Sequence, residues 1–267
     1  MTIENTDISE LLEMLGPKDF QRFLKYKPEL ADKPIEEQLT EYRQLGIDTQ
    51  TGFLRNERAL ESINWLIRLH NTGQNVRIAS VGCSTGEEAY SILMQSWSQR
   101  ERIKVVGYDI NPPVLETAKK GFYILNLELR EHEGWRIDSL GLEDQAYKIV
   151  EETGYSQDIQ FLDDLTRHLS FQVHDILQDP LPGKFDVIVA LNVLIHYAQK
   201  GRERILANLH ESLNTGGSLL LDTPKPNRSY GRAWDSYLDW LKDLSEFGFE
   251  RHLSSSVPVN VYKRIEV

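Results

Sequence analysis

A single cysteine, Cys83, stands in 267 residues. One thiol excludes an intrachain disulfide and suits a reducing compartment, so a cytoplasmic location is expected. No apolar run approaches the ~20 residues of a membrane-crossing helix, and no membrane insertion is expected. Met1 to Ser9 is acidic and polar, which does not read as a secretory signal. Basic residues are in deficit: 30 Lys and Arg against 41 Asp and Glu leave a formal net charge of −11. Nucleic-acid binders usually carry a basic face, so a nucleic-acid partner is not expected. Internal repeats are missing, and Ser254 to Ser256 is the one short low-complexity tract. Hydrophobic residues make up 40 % of the chain, enough for an ordinary core.

The most informative stretch runs from Val76 to Ser91. Val76, Ile78, Ala79 and Val81 read as a strand buried in a parallel sheet. Gly82 to Gly86 is a small-residue turn, and Glu87 to Ser98 follows with helix formers. Strand, glycine turn and helix let backbone N–H groups approach a ligand closely. Two absences narrow the ligand. The G-x-G-x-x-G fingerprint of dinucleotide binders is incomplete, because only Gly82 and Gly86 are present. The lysine of a phosphate-binding loop is also missing. Glu87 and Glu88 instead occupy the helix start, where carboxylates satisfy the helix dipole and repel phosphate. A nucleoside without phosphates and with positive charge fits, and S-adenosylmethionine is that molecule. Ile103 to Tyr108 reads as the next strand. Asp109 closes it about 20 residues past the turn, where an acid commonly accepts from a ribose diol.

Ser84-Thr85-Gly86-Glu87-Glu88 followed by Tyr90-Ser91 resembles the cofactor motif of the CheR chemotaxis-receptor methyltransferases. Thr51-Gly52-Phe53-Leu54-Arg55 resembles that family's T-x-F-F-R motif. Asp109-Ile110-Asn111 with Val114-Leu115, and Asn192-Val193 with Ile195, resemble two further segments. The resemblance covers roughly Thr49 to Asp222. It implies a class I methyltransferase fold: an α/β, Rossmann-like, seven-stranded sheet, mostly parallel with its last strand antiparallel. It also implies S-adenosylmethionine as cofactor and S-adenosylhomocysteine as product. The expected cofactor contacts are Thr51, Arg55, Gly82, Cys83, Ser84, Glu87, Asp109, Ile110, Asp175, Ile176, Asn192 and Val193. Arg55, His196 and Tyr197 are the candidate catalytic residues. Three departures stand out. Leu191 replaces the family's arginine before Asn192, His196-Tyr197 replaces a Tyr-Phe pair, and Asp175-Ile176 replaces Asn-Leu.

Two units are expected: a helical cap over residues 1–50 and a methyltransferase domain over 51–267, with an insertion at about 122–168. In the cap, a helix through Met14, another from Pro17 and a third from Pro34 to Gly46 are expected. Family members carry a small β-subdomain near the insertion, which in some docks receptor tails. Here Leu125 to Leu129 and Leu140 to Val150 read as helical, so that sheet is not expected. Leu169 to Val173, Phe185 to Leu191 and Ser218 to Asp222 read as further strands, and Gln199 to Leu213 as a helix. Trp234 to Leu241 reads as helix, and Phe249 to Leu253 with Val259 to Arg264 as a closing hairpin.

Three functions fit. The first is methyl transfer to a carboxylate, a protein glutamate as the resemblance implies. A carboxylate is already ionised near neutral pH and needs no base. The second is a small-molecule O- or N-methyltransferase in which His196 removes the acceptor's proton. The third is a non-catalytic S-adenosylmethionine-binding protein. The sequence leaves the methyl acceptor and the oligomeric state open.

Overall fold

In a computed structural model the described residues are 8–15, 17–42, 52–54, 57–70, 75–126, 137–221, 237, 239–252 and 260–266. Three short helices lead: α1 (Ile8–Leu15), α2 (Pro17–Tyr26) and α3 (Ile35–Glu41). The α/β part follows as α4 (Glu57–Leu69), β1 (Val76–Val81), α5 (Glu87–Gln95), β2 (Ile103–Asp109) and α6 (Pro112–Lys120). Then come β3 (Phe122–Asn126), β4 (Tyr147–Glu152), β5 (Ser156–Phe161), the helical turn α7 (Asp163–Thr166) and β6 (Leu169–Val173). The chain continues through β7 (Phe185–Ala190), α8 (Gln199–Ser212), β8 (Leu213–Leu221), β9 (Phe249–Arg251) and β10 (Asn260–Arg264).

Seven strands form one sheet in the order β6-β2-β1-β7-β8-β10-β9. β6, β2, β1, β7 and β8 run parallel, and β10 pairs antiparallel with β8 and β9. The expected sheet, with its last strand reversed, is therefore present. The central strands are apolar because both their faces are covered. On β7, Val187 and Val189 face α4 and α5, while Ile188 and Ala190 face α8 and the N-terminal helices. The chain lays β1, β2 and β6 outward on one side, then returns to place β7 beside β1. That reversal opens a crevice at the carboxyl ends of β1 and β7, the usual ligand position in such sheets.

The insertion differs from its expectation. Where helices were read over 125–129 and 140–150, β3, β5 and β4 form a three-stranded antiparallel sheet; residues 127–129 lie outside the described residues. β4 carries Glu151 and Glu152, which favour helix, and a bulge between Ile149 and Glu151 breaks its alternation. Pairing with β5 and burial of Tyr147, Ile159 and Phe161 override that local preference. A second difference lies in β8. It begins at Leu213, not Ser218, and absorbs Thr215-Gly216-Gly217 through a register shift against β7.

The N-terminal helices pack onto the sheet face that carries α8. Leu11, Leu15, Phe20 and Leu39 join the core there beside Val193, Leu194 and Tyr197. The Met14 carbonyl accepts from the Ala198 N–H at 2.9 Å. A Cβ at Gly201 would lie 2.5 Å from that carbonyl oxygen, so glycine permits α1 to approach α8. Leu45 and Gly46, the expected end of the third helix, lie outside the described residues, as does the expected helix start at Trp234.

Candidate functional site

The crevice is built around the bend between β1 and α5. Gly82 (φ 66°), Ser84 (φ 50°) and Gly86 (φ 98°) give it three left-handed residues. The N–H groups of Gly82 and Cys83 both donate to the Tyr108 carbonyl, at 2.8 and 3.0 Å, and carry the β1–β2 pairing past the strand end. Asp109 then ties the bend down. Its Oδ2 accepts from the Ser84 N–H at 2.8 Å and its Oδ1 from the Asn111 N–H at 2.9 Å. The two oxygens together have about four acceptor sites, and with the Ile110 N–H as a third donor the carboxylate keeps capacity for a ligand hydroxyl. The local sequence explains the geometry. Asn111 precedes Pro112 and Pro113 at the start of α6, and this turn points its N–H back at the acid.

Burial raises the Asp109 pKa above the ordinary carboxylate value, opposed by the backbone N–H groups of Asn111, Ser84 and Ile110. The sign follows. In the ligand-free chain the raised value means that ionised Asp109 opposes folding, a cost that disappears as the pH falls below it. For a ligand that donates hydroxyls to the carboxylate, affinity is present above the folded pKa and is lost as the pH falls through it. Titrating binding calorimetrically from pH 7 downward should show a loss centred above the free aspartate value. Asp109→Asn should remove that pH dependence.

The two glutamates at the start of α5 are held differently. The Thr85 hydroxyl lies 2.8 and 2.7 Å from the two oxygens of Glu87. Ser80, on β1, donates to Glu88 Oε1 at 2.7 Å. Glu88 also lines a small cleft, with Gly52, Leu54, Leu60, Ile63, Ser91 and Leu191. The sequence reading names both acids at the helix start but only Glu87 as a cofactor contact. Glu88 and Ser91 are three residues apart on α5 and share a face, and that spacing could have identified it. Ser91 closes the cleft: its Oγ accepts from the Leu54 N–H at 2.9 Å and donates to the Glu87 carbonyl at 2.6 Å. Thr51 and Arg55 lie outside the described residues. Of their motif, Phe53 is buried and Leu54 has φ 51°.

The other expected residues are placed as follows. Cys83 is buried, and burial beside Asp109 pushes its thiol pKa well up, so it stays protonated. Ile110 and Asn111 follow Asp109 directly, and the His174 N–H donates to the Asp109 carbonyl at 2.9 Å, bringing residues 174–176 alongside. Asp175 is buried. Its Oδ1 accepts from the Leu177 N–H at 3.1 Å, closing its own turn, and Ile176 joins the core beside it. Asn192 is exposed with φ 58° at the end of β7. Val193 touches the bend: a Cβ at Gly82 would lie 2.7 Å from Val193 Cγ2. His196 is half-buried in the 3₁₀ turn Leu194–His196. Tyr197 is buried and packs in the core with the N-terminal helices.

These features can be tested against a cofactor. A bend offering acids at the helix start disfavours phosphate and favours an ammonium or sulfonium. An acid held by two N–H groups at the end of the second strand suits a ribose diol. The residues present therefore fit S-adenosylmethionine. Fold and site together define a class I S-adenosylmethionine-dependent methyltransferase. Residues 49–223 match the family described as CheR methyltransferase, SAM binding domain, and the chain belongs to that family.

Three relatives illustrate the range. A chemotaxis protein methyltransferase of Listeria monocytogenes is 26 % identical over 176 residues, covering 64 % of this chain and 63 % of that protein. Chemotaxis protein methyltransferase 2 of Vibrio cholerae is 27 % identical over 228 residues, covering 79 % and 74 %. An uncharacterized 104.1 kDa protein of Rhodobacter capsulatus, from the hypE 3′ region, is 25 % identical over 249 residues. That match covers 80 % of this chain and 25 % of the relative. The chain thus spans a quarter of the Rhodobacter protein and just under two thirds of the Listeria one.

Proposed function

We propose that this protein is a cytoplasmic methyltransferase whose acceptor is a carboxylate on another protein, a glutamate side chain. The observation that carries the proposal is the family match, which runs from before the Thr51–Arg55 motif to the end of β8. Relatives named chemotaxis protein methyltransferases support a protein acceptor. The chemistry of the site is compatible. An ionised carboxylate needs no deprotonation, and the Cys83 thiol, held protonated, is no competing nucleophile.

The roles proposed for the described residues follow from their positions, and those of Thr51 and Arg55 from the resemblance of their motif. When bound, S-adenosylmethionine supplies an electrophilic methyl carbon. Asp109 would hold the ribose hydroxyls, and Glu88, with Glu87 behind it, the ammonium of the methionine portion. Asp175 and Ile176 would border the adenine. Gly82, Cys83, Ser84 and Val193 would form the wall against which the nucleoside lies. Arg55 would orient the acceptor carboxylate with its guanidinium fork, with Thr51 and Asn192 beside it. These residues position the carboxylate and exclude water, and such alignment supplies ~7–11 kcal/mol in well-oriented intramolecular reactions. The helices over residues 8–41 would form the cap of a two-part chain, 1–50 and 51–267, and cover the acceptor side.

One observation favours a second acceptor class. Leu191, buried, presents an apolar wall to the cleft beside Glu88 where the family carries arginine. A neutral small-molecule hydroxyl or amine would suit that wall, with His196 as base. The two readings separate in one experiment. Protein in cell lysate is labelled with methyl-labelled S-adenosylmethionine and then treated with mild base. Carboxyl methyl esters should release most of the label as methanol, whereas ethers and methylamines keep it. Retained label would overturn the carboxylate reading. His196→Gln activity lost with a pH dependence near 6–7 would establish the base.

A further inference from the structure

The insertion sheet does more than extend from the domain, because its first strand reaches into the bend. Tyr123, on β3, donates its hydroxyl to the Thr85 carbonyl at 2.5 Å. Thr85 lies between two residues of positive φ, Ser84 and Gly86, so its peptide planes belong to no regular ladder. A carbonyl in such a place, covered by protein, needs a partner or costs free energy. The Tyr123 ring is buried, and its edge meets Phe53 at 4.8 Å between centroids. Phe53 belongs to the Thr51–Arg55 motif. The same ring stands against Tyr90 at 5.7 Å and Phe161 at 5.8 Å, and Tyr90 stacks on Phe161 at 4.1 Å. Tyr90 in turn donates to the Ala118 carbonyl at 2.9 Å. One side chain of the insertion therefore touches both walls of the cofactor crevice, the bend through its hydroxyl and the Phe53 segment through its ring.

We infer that Tyr123 is a positioning residue for the cofactor: its hydroxyl fixes the Ser84–Thr85–Gly86 backbone in the orientation that presents Asp109 and the start of α5 to the nucleoside. The inference rests on the cofactor reading of the bend and is independent of the methyl acceptor. Burial, with Tyr90 and Glu87 nearby, pushes the Tyr123 phenol pKa far up, so the hydroxyl remains a donor throughout the working pH range. A consequence follows from thermodynamic reciprocity. Anything that shifts β3 changes cofactor affinity, and cofactor binding stiffens β3 in return.

The test compares two tyrosines of the same sheet. Tyr123→Phe keeps the ring and its packing and removes only the hydroxyl. Tyr147→Phe removes a hydroxyl that donates to Asp138 at 3.0 Å, outside the bend. S-adenosylhomocysteine affinity is measured by calorimetry and thermal midpoint by fluorescence for both variants and the wild type. Tyr123→Phe should bind about five- to tenfold more weakly, the effect expected for one lost buried hydrogen bond, at a thermal midpoint close to that of Tyr147→Phe. Tyr147→Phe should bind like the wild type. Binding by Tyr123→Phe within twofold of the wild type, or an equal loss in Tyr147→Phe, would overturn the inference. A wild-type chain that bound no S-adenosylhomocysteine would overturn the cofactor reading of the bend, and the inference with it.

Discussion

Asp109→Ala should weaken S-adenosylhomocysteine binding about 100-fold while leaving the ligand-free chain nearly as stable as before. The two halves of this expectation have separate causes. Hydrogen bonds to a charged acceptor contribute about 1.5–3 kcal/mol each, and a ribose diol offers two. Losing them, discounted for water that enters the gap, leaves roughly 2.7 kcal/mol, or 100-fold. The ligand-free chain loses the Ser84 and Asn111 N–H bonds to the carboxylate. It also escapes the burial that raises the Asp109 pKa, a penalty of opposite sign. The two effects largely cancel. Asp109→Asn should be nearly as poor a binder. Two backbone N–H groups point at the two oxygens, and an amide must turn its own donor toward one of them. Calorimetry measures the affinity, and the rise in thermal midpoint on adding ligand reports it again. An Asp109→Ala variant that bound within tenfold of the wild type would remove Asp109 from the site.

The bend and Asp109 were legible because their signals are local. Small residues, a helix start with acids, and an acid closing the next strand are written within 34 residues, Val76 to Asp109. The insertion was not legible, because its strands hide their period. Every residue from Phe122 to Leu125 is apolar, so the alternation of Phe122 and Ile124 outward with Tyr123 and Leu125 inward leaves no mark in the sequence. On β5 the buried face begins with a polar residue, Gln157. Pattern reading depends on contrast between faces, and here tertiary pairing alone supplies it. Tyr123 was missed for the same reason. Its partner, the Thr85 carbonyl, is 38 residues away in sequence and has no side-chain signature. Tyr197 shows the opposite case. Its candidate catalytic role comes from its place after β7, whereas its burial against the N-terminal helices depends on contacts remote in sequence.

Gly86→Ala tests whether the bend is held by backbone conformation or by packing. The residue caps α5 with φ 98° and ψ −5°. A left-handed conformation costs an L-residue about 1–2 kcal/mol. The new methyl would also lie 2.9 Å from Ala118 Cβ and 3.2 Å from the Phe171 ring. Overpacking of this kind costs about 1–3 kcal/mol, and Ala118 Cβ is fixed to the backbone of α6 and cannot rotate away. The sum is about 3 kcal/mol against a typical total of about 5–15, readable as a lower urea midpoint at unchanged slope. S-adenosylhomocysteine affinity should fall at least about tenfold, because the strain is relieved by moving the Thr85–Glu88 backbone, which in the proposed site would face the nucleoside. The double variant Gly86→Ala/Ala118→Gly separates the causes. Alone, Ala118→Gly loses helix propensity and a buried methyl, about 2 kcal/mol together. Combined, it removes the Cβ–Cβ clash and leaves φ unchanged. If packing dominates, the double variant should be about 1 kcal/mol more stable than the two losses added together. Strict additivity would instead assign the cost to the left-handed backbone and the Phe171 contact, and the fit between Ala118 of α6 and the bend would then contribute nothing to holding Gly86 in place.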